Sequence, residues 1–249
     1  MKWDNDIYRQ KFGFKTQTGL ELAAQVKPVR GKLLELGSET GILSYQLWKL
    51  GYTVEGIEFD YKLVDLARRT TAKSVFYEGD VDDVLLYENN YVMAIANDVL
   101  HRVPAEHHEN FLDNVYRSMK PEAELAFDMG AEGNNQPVED ALVQAFADEG
   151  LEYRMPFYPA ENEYRTMLEN AGFHVDRLVT VSKDRRIPGE DGMHWYIEMF
   201  YRDAFRKMDD AVIDRIIDKA CTILEDTLYD GENWTLPQIR LTGKLVKQQ

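Results

Sequence analysis

The stretch Leu33-Leu34-Glu35-Leu36-Gly37-Ser38-Glu39-Thr40-Gly41, followed about twenty residues later by Val54-Glu55-Gly56-Ile57-Glu58, decides the fold. An apolar run that stops at a glycine reads as a buried strand entering a turn. Residues 42–50 then carry apolar side chains at helical spacing, and Gly51 stops them. The second stretch reads as the next strand and ends in a carboxylate. Strand, glycine turn, helix and strand-terminal acid form one βαβ unit of the kind that takes adenosine-bearing ligands. Gly37 and Gly41 are expected to let backbone approach a ligand with no Cβ in between. Glu58 is placed to accept hydrogen bonds from two ribose hydroxyls.

The same reading extends outward. Thr18 is expected to cap a helix over residues 19–26, with Pro28 beyond its end. Strands are predicted at 32–36, 53–58, 74–78, 91–96 and 124–129, with helices at 61–71 and 106–119 between them. Strands that alternate with helices imply an α/β fold, a Rossmann-like doubly wound sheet that is mostly parallel. Ligands of such sheets lie beyond the carboxyl ends of the strands, where Gly37–Gly41, Glu58, Asp80 and Asn97 all fall. After the fifth strand come predicted helices at 137–149 and 160–171, a strand at 173–182, one long amphipathic stretch at 192–229 and a last strand at 239–246. The late strands fit an antiparallel hairpin closing a seven-stranded sheet around helical insertions.

Composition narrows the function. The 249 residues are 44% hydrophobic, enough for one sizeable core. There are 29 basic and 44 acidic side chains, a net charge of −15. Nucleic-acid binding needs basic surface to displace counterions, so no nucleic-acid partner is expected, and an anionic membrane is equally disfavoured. Cys221 is the only cysteine, which excludes an intramolecular disulfide and a thiolate zinc site and fits a reducing, cytoplasmic setting. Residues 1–10 lack a basic-then-apolar leader, so no signal peptide is expected, and no membrane span is expected either.

The glycine turn with Glu58 resembles motifs I and II of class I S-adenosylmethionine-dependent methyltransferases. Wider stretches are similar to the trans-aconitate methyltransferase-like members. These are Trp3-Asp4 through Tyr8 and Phe14, Asn97-Asp98-Val99-Leu100-His101-Arg102-Val103, Met119-Lys120-Pro121, residues 164–173, and Arg240-Leu241 with Lys244. The resemblance implies one methyltransferase domain over residues 1–249. Residues 1–28 would cap the cofactor, and 131–172 and 183–235 would be helical insertions near the acceptor pocket. It implies that Glu35 and the Gly37-Ser38-Glu39-Thr40-Gly41 loop wrap the methionine moiety and that Glu58 holds the ribose. Phe59 would pack on the adenine, with Asp80 and the Val81 backbone on its polar edge and Asn97 near the methionine amine. Tyr8 and Phe14 would fold over the sulfonium, since aromatic faces attract cations. The chain departs from the family pattern where Glu39 replaces the middle glycine, Glu122-Ala123 a glycine pair, Arg102 a tryptophan and Val92 an acid.

Acceptor chemistry is less determined by the sequence. His101 reads either as a structural histidine or as a general base. Asn97-Asp98 reads either as site lining or as a turn cap. Arg102, Arg154, Arg165, Arg185 and Arg186 are candidates to bind an acceptor carboxylate, or solvated charges. Tyr158, His194 and Trp195 are candidates to line the acceptor pocket. His107 and His108 diverge on a helix, so no metal site is expected. The expected activity is methyl transfer to a small soluble acceptor, a carboxylate among the options, by a monomer or homodimer. The alternative is a catalytically degenerate binding or regulatory protein. A nicotinamide dehydrogenase is disfavoured because its glycine spacing is missing.

Overall fold

The computed structural model of the protein describes residues 3–27, 30–79 and 88–248. Two compact units emerge. The larger comprises Phe14–Glu132, Phe157–Val181 and Arg240–Gln249, and the smaller Met1–Gly13, Gly133–Pro156 and Ser182–Ile239.

A seven-stranded sheet runs through β1 (Lys32–Leu36), β2 (Thr53–Glu58), β3 (Val75–Glu78), β4 (Tyr91–Asn97), β5 (Met119–Gly130), β6 (Phe173–Pro188) and β7 (Asn233–Lys247), in the order β3-β2-β1-β4-β5-β7-β6. β1 pairs in parallel with β2 and β4, β2 with β3, and β4 with β5, whereas β5 pairs antiparallel with β7 from Glu124↔Val246 to Gly130↔Arg240. The expected α/β sheet with its antiparallel closure is therefore present. Strand order reverses between β1 and β4, the position at which sheets of this kind take ligands beyond the carboxyl ends of the strands.

The larger unit's core forms because β1 is apolar on both faces. Leu33, Leu34 and Leu36 are fully buried. Leu22 and Ala23 of α1 (Asn5–Gln25), Val26 just beyond it, and Leu43 and Leu47 of α2 (Ile42–Lys49) pack on Leu33, Val54, Met93 and Ile95. α3 (Tyr61–Thr70) sets Val64 and Ala67 against Phe76 of β3, and α4 (His108–Ser118) buries Phe111, Leu112 and Val115. α6 (Glu161–Asn170) also belongs to this unit. In the smaller unit α5 (Gln136–Asp148) packs on α8 (Asp210–Leu228), which buries Ile213, Ile216, Ile217, Ala220 and Leu224, and α7 (Gly192–Phe200) packs on α8 as well. No described helix is long and apolar enough to cross a membrane.

Several expected boundaries move, each for a physical reason. The first helix starts at Asn5 instead of residue 19, because Asp4 Oδ1 caps it by accepting from Asp6 N and Ile7 N at 2.8 and 3.0 Å. Thr18 is no cap; its hydroxyl donates back to the Phe14 carbonyl at 3.0 Å within the helix. The long amphipathic stretch over 192–229 divides into separate helices, α7 and α8. A left-handed Lys207 (φ 67°) interrupts it, and Asp209 restarts it as α8 by accepting from Ala211 N at 2.9 Å. Strand β5 begins at Met119, ahead of the expected residue 124, and takes Pro121 and a left-handed Glu122 (φ 65°) into an irregular register against β4.

Candidate active site

The loop after β1 is anchored across the sheet. Gly37 N and Ser38 N both donate to the Ile57 carbonyl of β2, at 2.9 and 3.0 Å. Gly37 (φ 71°), Glu39 (φ 45°) and Gly41 (φ 72°) are left-handed, and Gly41 leads into α2. A Cβ on Gly37 would lie 2.6 Å from Val99, and one on Gly41 would lie 3.1 Å from Ala67 Cα and from Phe76. The protein's own neighbours therefore already demand glycine at both positions. Thr40 is buried, and the buried Ser38 hydroxyl has no hydrogen-bond partner.

Glu58 organises this loop. Its side chain is fully buried at the end of β2. Oε2 accepts from Glu39 N and Oε1 from Asp60 N, both at 3.0 Å. One carboxylate thus ties the glycine loop to the turn that opens α3, where Asp60 caps the helix on Lys62 N. Glu35 lies deeper. It accepts from the Ser44 hydroxyl of α2, and burial pushes its carboxyl up to about 8, with the charges of Glu39 and Glu58 adding to the rise and the Ser44 hydrogen bond opposing it.

Beside the loop sits a buried ion network. Lys15 Nζ of α1 lies 3.5 Å from Glu39 Oε1 and 2.5 Å from Asp98 Oδ2. Asp98 is left-handed (φ 58°), and its N–H donates to the Asp128 carbonyl at 2.7 Å. Arg240 of β7 reaches Asp98 at 2.6 Å, and its Nε donates to Asp128 Oδ1 at 2.9 Å. Burial alone would raise the Asp98 carboxyl, but the charges of Arg240 and Lys15 outweigh it and hold the group well below the usual carboxylate range. Asn97 donates its amide to the Lys15 carbonyl at 3.0 Å, while its Oδ1 is buried with no hydrogen-bond partner.

The acceptor candidates of the larger unit follow β4. The Arg102 guanidinium lies 4.2 Å above the Phe59 ring, a cation–π contact that covers one aromatic face. His101 is buried and stacks on Tyr158 with ring centroids 5.5 Å apart. Its Nδ1 accepts from Gly130 N at 3.4 Å, which leaves the proton of the neutral ring on Nε2, 4.0 Å from Asp98 Oδ1. Burial drives the imidazole down to about 3; Asp98 opposes this, and Arg240, Arg102 and Lys15 reinforce it. His101 is thus a neutral ring at physiological pH with low basicity.

The remaining sequence candidates divide. Phe14, half-buried on α1, belongs to the larger unit. Tyr8 belongs to the smaller one, where it is buried and stacks on Trp3 at 5.5 Å with Phe200 at 6.3 Å. His194 and Trp195 also belong there. His194 lies 3.7 Å from Glu198 and 3.5 Å from Asp218, and Trp195 Nε1 donates to Asp191 at 3.0 Å. His194 lines a cavity of about 630 Å³ with Trp234, Cys221 and acidic side chains. Asp80 and Val81 fall outside the described residues. Arg165 and Arg186 pair with Glu169 and Asp230. His108 is enclosed by Phe111, Phe157 and Tyr164, and among the described residues no His, Cys, Asp and Glu group could hold a metal ion.

Sequence reasoning passed over Lys15, Asp128 and the ionic role of Asp98 and Arg240. A signal existed for Lys15: it occupies a core position in the stripe Tyr8, Phe12, Lys15, Gly19, Leu22 and Val26, all buried at helical spacing. A lysine there needs buried carboxylates around it.

Comparison with known proteins gives this geometry a family. A family model described as a methyltransferase domain matches residues 9–178. An uncharacterised methyltransferase of Schizosaccharomyces pombe is 22% identical over 253 residues, covering 96% of this chain and 95% of its own. Among solved structures, an S-adenosylmethionine-dependent methyltransferase of Methanosarcina mazei superposes with a TM-score of 0.62 at 13% identity, covering 91% of this chain and 97% of that one. A phosphoethanolamine N-methyltransferase of Haemonchus contortus, solved with phosphomonomethylethanolamine and S-adenosylhomocysteine, has a TM-score of 0.58 at 12% identity, covering 94% of this chain and 53% of that one. A domain match across most of the chain, on a sheet whose carboxyl edge carries the glycine loop and its strand-terminal acid, means that the chain belongs to the methyltransferase-domain family.

Proposed function

We propose that the protein binds S-adenosylmethionine at the carboxyl edge of β1, β2 and β4 and transfers its methyl group to a small soluble acceptor, with a carboxylate as the favoured acceptor group. The observation that carries the reading is the Glu58 carboxylate, which fixes the Glu39 and Asp60 amides at that edge. The Asn97 Oδ1, a buried acceptor lacking a donor, fits an ammonium at the same edge. The Gly37–Gly41 loop and Asn97 would hold the methionine end, Glu58 the ribose, and Phe59 with Asp80 and Val81 the adenine. Because the Glu58 carboxyl lies below the surface, a ribose that reaches it must part the rim.

The bound cofactor would supply an activated methyl on a sulfonium, so the protein's task is alignment and exclusion of water. A carboxylate nucleophile needs no proton removed, which suits a site whose nearest histidine is a weak base. Arg102 and Tyr158, beside Phe59 and His101, are the acceptor-facing candidates in the larger unit, and a trans-aconitate-like acid is the acceptor class we favour. The site acts in the cytoplasm without nucleic-acid or membrane partners, in a monomer or homodimer. The low basicity of His101 also favours a second reading, a fold that binds cofactor without turnover.

Isothermal titration with S-adenosylhomocysteine tests the assignment. Binding by the native protein that weakens about tenfold or more in Glu58→Ala is expected. No heat at roughly millimolar ligand, or unchanged affinity in the variant, would overturn it.

A further inference from the structure

Glu39 stands in the left-handed turn where the family pattern has glycine, and Lys15 meets it from α1. We infer that Lys15 and Glu39 form an exchangeable ion pair that reads the amino-acid end of the cofactor. On binding, the Lys15 ammonium passes from the Glu39 carboxylate to the ligand's α-carboxylate, and Glu39 takes the ligand's α-ammonium. The inference rests on the reading that S-adenosylmethionine occupies this edge.

The charges around Lys15 require such an exchange. Lys15 is almost fully buried, at 5% side-chain exposure, and Glu39 and Asp98 are only 14% and 18% exposed. A ligand carboxylate entering beside these two half-buried carboxylates would be repelled unless a cation is present to receive it, and Lys15 is the cation in contact with both. The contact to Asp98, at 2.5 Å, is the shorter and holds the ammonium in place; the contact to Glu39, at 3.5 Å, is the longer and is the one that opens. A zwitterion gives each released group a new opposite charge, so the swap leaves no buried charge unpaired. A ligand with no amino-acid end gives neither. Asn97 is a separate witness: its amide donates to the Lys15 carbonyl, and its buried Oδ1 still lacks a donor, which an ammonium supplies. Glycine at position 39 would leave nothing for the ligand ammonium to exchange with, so the departure from the family pattern and the buried lysine form one device.

Calorimetric titration with two ligands, S-adenosylhomocysteine and methylthioadenosine, tests this, since only the first carries the zwitterion. The native protein should prefer S-adenosylhomocysteine. Lys15→Met should weaken that ligand about tenfold or more while leaving methylthioadenosine within about twofold, and Lys15→Arg should retain the preference. Glu39→Gln, which keeps side-chain shape and the Glu58-bound backbone amide, should show the same selective loss and answers the question if Lys15→Met does not fold. Equal weakening of both ligands, or of neither, overturns the pair. A native protein that binds methylthioadenosine as tightly as S-adenosylhomocysteine overturns the pair while leaving the adenosine site intact. A native protein that binds neither ligand overturns the methyl-transfer reading and the pair with it.

Discussion

Two buried titratable groups give the site opposite pH signatures. Glu35 rises from 4.5 to about 8 because burial disfavours its charge, so the folded protein keeps a proton that the unfolded chain releases. Between those values its contribution to stability falls as pH rises. His101 drops from 6.5 to about 3, so the unfolded chain takes up a proton that the folded protein refuses. Between those values its contribution falls as pH falls. Each slope is about 1.4 kcal/mol per pH unit at most, and the two oppose each other where the windows overlap. Glu35→Gln should remove only the alkaline-side decline. Urea midpoints measured in parallel should show the native-minus-variant difference changing between pH 4.5 and about 8 and constant outside it. A difference that does not vary with pH in that window would mean that Glu35 is ionised in the fold. That residue's type was legible in the sequence, but its protonation was not, because burial and the Ser44 hydroxyl are set by the packing of α2 on β1.

At the scale of the element, the glycine turn is built for its own neighbours. Gly37→Ala places a Cβ against Val99 at 2.6 Å in a left-handed backbone, and should cost about 2–4 kcal/mol in chemical denaturation. Gly51→Ala, also at positive φ but with nothing within 4 Å, should cost only the backbone share, about 1–2 kcal/mol. Equal losses at both positions would show that Val99 yields freely. These turns were readable because apolar runs end abruptly at them: β1 and β2 fall on the expected residues, and α2 and α3 end within one residue of expectation. Failures arose where one polar residue hid or faked a pattern. Lys15 hid the stripe of α1, so only its second half was expected as helix. Within the amphipathic stretch 192–229, spacing alone did not mark where α8 begins, which rests on the backbone of Lys207 and the cap at Asp209. Local sequence specified the period in both cases; what decided was which side chain found a buried partner.

At the scale of the whole chain, closure of the larger unit rests on contacts that no local pattern encodes. Arg240 lies 142 positions from Asp98 and 112 from Asp128, yet it joins the carboxyl ends of β4 and β5 to β7 in one buried ionic cluster. The doubly wound, mostly parallel class of the sheet was legible from alternation of strands and helices, and the placement of Asn97 at a strand's carboxyl end with it. The cluster was not, since its members are ordinary charged residues until the antiparallel pairing of β5 with β7 sets Gly130 opposite Arg240. The arginine counters two carboxylates that desolvation would otherwise penalise. Arg240→Met should therefore destabilise by about 3–5 kcal/mol, because it removes the cation that Asp98 and Asp128 share and leaves Lys15 to counter Asp98. Adding Asp98→Asn and Asp128→Asn to Arg240→Met should recover most of that loss, since the same positions then hold no unbalanced carboxylate. Denaturant titrations of the native, single and triple variants check the claim. A triple variant no more stable than Arg240→Met alone would place the arginine's value in its packing along β7, and charge balance would cease to explain why the last strand closes on the carboxyl ends of β4 and β5.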